Sequence, residues 1–194
     1  TFGESTGHLP LRDSYQSKLD SYLEQISQFK QRLSIPLIAS LNGTTAGGWL
    51  EMGKEIQAAG ADALELNSWF MPGDPYISAA AQEEQYLALL RELTAVVSIP
   101  VCLKLTPFFS SLPNFVRQAE AAGAAGVSLF NRFFQPDIDL QNLRVVDHVQ
   151  LSTSADTLLS MRWIAVLHGR CGLSLAATGG VHRAEDALKM LLAG

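Results

Sequence analysis

The chain has 194 residues, of which 47% are hydrophobic and 17% charged, a composition ordinary for one soluble domain with a sizeable core. Its formal net charge of −5 and the lack of any lysine and arginine cluster argue against nucleic acid or an anionic membrane as partner. No apolar run approaches the ~18 residues of a membrane span, and two cysteines are too few for a disulfide framework, which favours a reducing cytoplasm. We predict a single domain over residues 1–194. The start at Thr1 rather than Met indicates a piece of a longer protein.

The first half of the chain alternates predicted helices and buried strands after an N-terminal loop. Glycine, proline and hydrophobic spacing predict a loop at 1–13, helices at 14–33 and 49–59, and strands at 37–41 and 63–66. A long loop at 68–78 follows the second strand and contains two prolines and a glycine. Long loops at strand ends usually carry function.

The second half continues the alternation. The predicted helices lie at 79–97, 112–122, 155–169 and 183–192, and the predicted strands at 101–105, 126–130 and 173–178. Residues 132–153 form a less regular excursion, in which a short strand is expected around 145–151.

A repeated pattern supports this order of elements. The sequence Ser-Ile-Pro at 34–36 returns at 98–100, and Ala-Ala-Gly-Ala at 58–61 returns at 121–124, each about 64 residues later. Repeated strand–helix units of this kind are typical of βα units that close around an axis. A closed (β/α)₈ barrel needs eight strands and typically ~250 residues. The five predicted strands therefore indicate an α/β fold, an incomplete TIM barrel with about strands 3 to 7.

Lys104 interrupts an otherwise apolar strand. Its neighbours in 101–105 show no alternation, which predicts a strand covered on both faces. The carboxyl ends of such strands carry the sites of α/β proteins. Three interpretations stay open: a lysine that reaches the barrel mouth or pairs with Glu65, a Schiff-base nucleophile, and a fixed positive charge beside a bound anion or an electron-rich ring.

Three asparagines, Asn42, Asn67 and Asn131, each follow a predicted strand. Each could simply satisfy the backbone of a turn. Together they suggest a planar ligand with carbonyl and N–H groups, because an amide offers both a donor and an acceptor.

The turn Thr178-Gly179-Gly180 lies between a predicted strand and a predicted helix. Paired glycines at a helix start favour an anion site of the kind that holds phosphate. His182 could contact that phosphate or simply begin the helix. The four histidines show no ligand spacing, so no metal site is predicted.

With these residues in place, the chain resembles the flavin-binding barrel of the dihydroorotate dehydrogenase family, and most of all its cytosolic class 1 enzymes and bacterial dihydroorotate dehydrogenase-like relatives. The segments that carry the resemblance are IPLIASLNG, AGADALELN, IPVCLKLTPFF, SLFNRFFQPDIDL and AATGGVHRAEDALKMLLAG. The resemblance implies an FMN-dependent oxidoreductase that acts on CH–CH bonds by hydride transfer between a substrate carbon and flavin N5, in pyrimidine biosynthesis. It also implies a small-molecule substrate and a homodimer.

The resemblance assigns roles to several residues. Lys104 would lie near the pyrimidine edge of FMN, where a positive charge stabilises the reduced ring. Asn67 and Asn131 would hydrogen-bond substrate and flavin, and Asn42 would be a further cofactor contact. Gly179 with Gly180 would bind the FMN phosphate.

The sequence departs from the family pattern where the catalytic base is expected. Phe70 stands at the position that the family gives to cysteine or serine, and phenylalanine cannot accept a proton. Ser68, Asp74 and Tyr76 are the alternative proton carriers. Arg132 replaces a small hydroxyl residue and could clamp a substrate carboxylate.

Two other functions stay open at this point. Lys104 could act as the Schiff-base nucleophile of an aldolase or lyase on a phosphorylated carbonyl compound. Alternatively, Phe70 could mark a flavin-binding protein that has lost its catalytic base.

Overall fold

A computed structural model describes residues 12–42, 46–67, 73–132, 135–148 and 151–194. The helices are α1 (Arg12–Arg32), α2 (Ala46–Ala58), α3 (Ala79–Val96), α4 (Leu112–Ala121), α5 (Thr157–Leu167) and α6 (Ala184–Ala193). The strands are β1 (Ile38–Leu41), β2 (Ala63–Leu66), β3 (Val101–Leu105), β4 (Gly126–Leu129), β5 (Gln135–Asp139), β6 (Arg144–His148) and β7 (Ser174–Ala177). A single 3₁₀ turn, Ser154–Asp156, precedes α5.

Five of the strands form one parallel sheet in the order β1-β2-β3-β4-β7. Each of these strands is followed by a helix, in the case of β4 after the hairpin β5–β6, and β1 to β4 pair with their neighbours in chain order. This is the repeating unit of a (β/α)₈ barrel. The predicted fold class is confirmed: an α/β barrel of the TIM type, of which the described residues supply five strands.

The sheet has an outer face that packs against the helices. Alternate strand residues, including Leu64, Leu103 and Leu129, are fully buried there in one hydrophobic cluster. Helix residues such as Ile56 and Phe115 belong to the same cluster. Burial of these side chains supplies the main driving force for holding the helices on the sheet.

The opposite, inner face is polar. It carries the intervening residues of each strand, because successive side chains of a strand point to opposite sides; they include Ser40, Glu65, Cys102, Lys104 and Ser128. The prediction that 101–105 is covered on both faces was wrong, since Cys102 and Lys104 are only partly buried. The burial of β3 therefore alternates along the strand.

The internal repeat is confirmed by the backbone. Gly60 and Gly123 end α2 and α4, and both have φ of +102°. This left-handed conformation suits glycine, which carries no Cβ atom. The two strand–helix–strand units therefore share their turn geometry as well as their sequence.

Residues 132–153 contain an antiparallel hairpin that the sequence did not reveal. The expected short strand at 145–151 is Arg144–His148, and it pairs with a second strand, Gln135–Asp139. The Asp139 carboxylate accepts the N–H groups of Gln141 and Asn142 in the turn, and Leu143 has φ of +48°. Glycine usually occupies such a position in a hairpin turn, so the turn lacked its usual signal.

The remaining boundaries agree with the predictions to within three residues, as helix ends generally do. Arg12 and Asp13, predicted as loop, belong to α1, because neither residue breaks a helix. Residues 1–11 of that loop lie outside the described residues. No helix among the described residues is both long and apolar enough to cross a membrane.

Candidate active site at the carboxyl ends of the strands

The sheet register arranges the polar residues of the inner face in two levels. At the deeper level, Ser40 pairs with Glu65, and Glu65 pairs with Cys102. At the upper level, Lys104 pairs with Ser128. Since Leu66 pairs with Leu103, the next residue, Asn67, follows beside Lys104. The upper level lies at the carboxyl ends of the strands, where barrel enzymes build their sites.

Lys104 lies on this inner face and forms an ion pair with Glu65. The distance from Lys104 Nζ to Glu65 Oε1 is 3.4 Å, and the two side chains are 23% and 21% exposed. The Ser40 hydroxyl donates to the same carboxylate oxygen at 3.3 Å. The pairing expected in one interpretation of Lys104 is therefore present. This ion pair keeps the Lys104 ammonium on the inner face of the sheet. The side chain does not point outward between the helices.

Cys102 reports the electrostatics of the deeper level. The pKa of its thiol is raised to about 11, first by burial and then by the Glu65 carboxylate, while the Lys104 ammonium lowers it. A thiol with such a pKa is protonated and poorly nucleophilic at neutral pH. Cys102 therefore belongs to the wall of the site and does not serve as its nucleophile.

Two of the three predicted asparagines meet. The Asn131 side-chain amide donates to the Asn67 side-chain oxygen, and the pair spans the end of β3 from β2 to β4. The backbone N–H groups of both asparagines extend the hydrogen bonding of the sheet. Asn131 donates to the Leu105 carbonyl at 2.8 Å, and Asn67 donates to the Leu41 carbonyl at 2.9 Å. No hydrogen bond within the described chain joins Asn42 to this pair.

The Gly179-Gly180 turn follows β7 as predicted, and the structure gives its glycines different surroundings. Both have positive φ, +83° and +75°. A Cβ atom on Gly180 would lie 2.7 Å from the backbone nitrogen of Thr157 at the start of α5, whereas one on Gly179 would meet nothing within 4 Å. Gly180 thus allows the close approach of α5, and Gly179 faces open space. Neither N–H group has a hydrogen-bond partner in the described part of the chain.

Arg132 has partners within the chain. Its guanidinium lies 3.4 Å from the Asp156 carboxylate and donates to the Leu151 carbonyl at 3.4 Å. The pKa of Asp156 is lowered, mainly by the backbone N–H of Thr153 and to a smaller extent by Arg132. Arg132 therefore helps to fix the start of α5, and a role as a carboxylate clamp stays a prediction.

Two of the three alternative proton carriers, Asp74 and Tyr76, lie in an exposed local turn. The Tyr76 side chain is 95% exposed, and the Asp74 carboxylate accepts the backbone N–H of Tyr76 in a local turn. Ser68 and Phe70 lie outside the described residues. The proton-transfer group consequently stays unassigned.

The structure adds two polar features that the sequence analysis missed. Ser128 is only 2% exposed beside Lys104, and its hydroxyl has no hydrogen-bond partner among the described residues. The sequence signal for Ser128 was a serine inside the otherwise apolar run of β4. The Ser152 hydroxyl lies 3.0 Å from His182 Nε2 near the glycine turn. Among the described residues, no cluster of histidine, cysteine, aspartate or glutamate could hold a metal ion.

Comparisons with known proteins agree with this geometry. The family model described as dihydroorotate dehydrogenase matches residues 15–194. The chain is 28% identical over 173 residues to dihydroorotate dehydrogenase A (fumarate) of Lactobacillus delbrueckii, covering 84% of this chain and 55% of that protein. It is 28% identical over 181 residues to the catalytic subunit of dihydroorotate dehydrogenase B (NAD(+)) of Bacillus pumilus, covering 91% and 58%. The chain spans about half the length of these relatives.

Solved structures support the fold. DHODH from Eimeria tenella, in complex with ferulenol, superposes with a TM-score of 0.63 at 13% identity, covering 92% of this chain and 55% of that one. Deoxyribose phosphate aldolase from Aeropyrum pernix superposes with a TM-score of 0.60 at 18% identity, covering 90% and 67%. Similarity at this level of identity shows the barrel architecture alone. The match of the family model over nearly the whole chain shows more: this chain belongs to the dihydroorotate dehydrogenase family, whose members are FMN-binding flavoproteins.

Proposed function

We propose that the full-length protein is an FMN-dependent oxidoreductase that acts on a CH–CH bond, in the manner of dihydroorotate dehydrogenases, and serves pyrimidine biosynthesis. One observation carries this proposal. A chain of this family presents the Lys104 cation and the hydrogen-bonded Asn67–Asn131 pair together at the carboxyl ends of three adjacent strands.

The chemistry of the donor set fits FMN. The inner face offers one ammonium and two amides, which match the carbonyl and N–H groups of a flavin ring. The turn at Gly179 offers open space and N–H groups without partners in the described chain, which suit a phosphate. The outer face of the same strands is apolar and filled by helices, so it offers no comparable surface.

Each group has a definable task. FMN, when bound, supplies the acceptor for hydride from the substrate carbon. Lys104 places positive charge where negative charge accumulates on reduction, and partial burial strengthens that effect. The Asn67–Asn131 pair is fixed by its own hydrogen bond and by the sheet, which allows both amides to orient a planar ligand. Gly179 holds the phosphate end.

The substrate proton needs an acceptor. Phe70 cannot serve, and Tyr76 is held away from the inner face in its exposed turn. Ser68, which directly follows Asn67 in the sequence, is the proposed acceptor. Arg132 would have to leave Asp156 before it could bind a substrate carboxylate.

An absorbance spectrum and a reduction assay test the proposal. The full-length protein, reconstituted with FMN, should show flavin bands, and anaerobic addition of dihydroorotate should bleach them. A protein without flavin bands after reconstitution would contradict the proposal. A flavoprotein that dihydroorotate fails to reduce would favour the alternative in which the catalytic base is lost.

The lyase alternative is separable from these outcomes. A Schiff-base nucleophile must be a neutral amine, whereas Lys104 lies beside the Glu65 carboxylate as a cation. Borohydride trapping with phosphorylated aldehydes should therefore leave Lys104 unlabelled. Cytoplasmic location and a homodimer stay predictions, and light scattering of the full-length protein would test the second.

A further inference from the structure

We infer that Glu65 is a positioning residue for Lys104: its carboxylate holds the ammonium on the inner face and offsets part of its charge, and thereby sets the reduction potential of the bound flavin. This inference rests on the proposed function, since it concerns the same site. It adds a residue to which neither the comparisons nor the sequence analysis gave a role in redox chemistry.

The first support is geometric. Glu65 lies on the same face as Lys104 and one level deeper, because it pairs with Cys102 in the sheet. The Lys104 ammonium lies 3.4 Å from Glu65 Oε1, so the ion pair keeps it on the inner face of the sheet. Ser40 donates to the same oxygen, so the carboxylate is itself fixed by a strand neighbour.

The second support is electrostatic. Both side chains of the pair are about one-fifth exposed, so their interaction is screened less than that of a surface pair. The carboxylate also acts on its other neighbour, raising the pKa of Cys102. A group whose field is felt at an adjacent side chain also acts on a ligand that lies against Lys104. In the described chain, the charged groups of this part of the inner face are Glu65 and Lys104.

The expected consequence has a definite sign. Reduction places negative charge on the flavin, which the Lys104 cation favours, and Glu65 weakens that effect by drawing the ammonium to its own carboxylate and offsetting its charge. Glu65→Gln should therefore raise the midpoint potential, and Lys104→Gln should lower it. A tenfold shift in the ratio of reduced to oxidised flavin, about 30 mV for a two-electron couple, is the expected size for Glu65→Gln.

A double-mutant cycle tests whether Glu65 acts through Lys104. The midpoint potentials of the full-length holoprotein are measured for wild type, Glu65→Gln, Lys104→Gln and the double variant. We expect Glu65→Gln to shift the ratio of reduced to oxidised flavin much less in the Lys104→Gln background, because the cation that Glu65 positions is absent there. Equal shifts in both backgrounds, or no shift in either, would overturn the inference.

The matched control is Glu84→Gln. Glu84 pairs with Arg91 at 2.6 Å on the exposed side of α3, and its loss should leave the potential unchanged. If Glu65→Gln fails to fold, Glu65→Asp replaces it: the shorter carboxylate draws back from the ammonium and should shift the potential in a Lys104-dependent way. An Asp variant with the potential of wild type in both backgrounds would equally overturn the inference.

A readout without flavin separates this inference from the proposed function. In apoprotein carrying Cys171→Ser, the pH dependence of alkylation gives the pKa of Cys102. Glu65→Gln should lower that pKa, and Lys104→Gln should raise it, following the signs of the two neighbouring charges. If wild type binds no FMN, the proposed function fails. If FMN binds, and neither the Cys102 pKa nor the potential responds to Glu65, only this inference fails.

Discussion

The outer and inner faces of the parallel sheet differ in character although they alternate along the same strands. Leu103 is fully buried against the helices, while the next residue, Lys104, lies on the opposite face beside Glu65. Leu129 and Ser128 repeat the contrast on β4. The outer face holds the fold together, and the inner face carries the candidate site. Neighbouring residues of one strand should therefore respond to mutation in different ways.

Leu103→Ala should give the largest effect, a loss of about 2–5 kcal/mol in the free energy of unfolding, because it leaves a cavity in a fully buried cluster. Urea denaturation of the full-length protein measures the change. The fraction of the variant that folds should still bind FMN. A loss below about 1 kcal/mol would show that the outer face contributes less to stability than its burial implies.

Lys104→Gln should impair flavin reduction far more than stability. It removes the cation of the inner face, so flavin reduction by substrate should slow about 10²–10³-fold, or about 2.7–4 kcal/mol. Stability should fall by less than in Leu103→Ala, because the ion pair is only partly buried and Glu65 keeps the Ser40 hydroxyl as a partner. Stopped-flow reduction and urea denaturation of the same preparation measure both. A variant that reduces flavin at the wild-type rate would contradict the role of Lys104.

Gly179 and Gly180 should show the same contrast between a site residue and a packing residue. Gly180→Ala combines positive φ with a backbone collision at Thr157 and should cost more than the ~1–2 kcal/mol of the left-handed conformation alone. Gly179→Ala meets no atom within 4 Å and should cost only that conformational part, while weakening FMN binding. Thermal unfolding and an FMN titration compare them. Equal losses of stability would contradict the different surroundings of the two glycines.

Asp186→Asn should give the smallest effect, and one that depends on pH. The pKa of Asp186 is lowered by the Ser154 hydroxyl first and then by the N–H groups of His182 and Arg183. A lowered native pKa stabilises the fold above about pH 4, the value for an unfolded chain, and this contribution is lost as pH falls through the native pKa. The Asn variant should therefore have a lower Tm at pH 7, and the difference from wild type should shrink as the pH falls through the native pKa. A pH-independent difference would contradict this account.

Much of the fold could be predicted from the sequence because its signals are local. Gly60 and Gly123 ended repeated units, and the apolar runs before Asn67 and Asn131 identified strands that the structure contains. The hairpin was missed because Leu143 takes a conformation that usually requires glycine. Local signals fail where tertiary contacts fix an unusual turn.

The site was predictable in part for the same reason. Strand order brings Lys104 and Asn131 to one edge, so their proximity follows from the fold. The partners of Arg132 and the separate roles of Gly179 and Gly180 depend on how α5 approaches the turn, and no spacing rule contains that information. The burial of β3 alternates although its sequence is nearly all apolar, because successive side chains of a strand point to opposite faces of the sheet.

Protection of Lys104 by FMN tests the central claim most directly. Lys104 and Lys30, whose side chains are 23% and 31% exposed, are acylated by a small reagent in the full-length protein with and without FMN, and labelling is quantified by mass spectrometry. Lys30, paired with Asp62 at the sheet periphery, is the internal control. We expect bound FMN to slow labelling of Lys104 and leave Lys30 unchanged. Equal labelling of Lys104 with FMN bound would contradict a flavin held against the inner face.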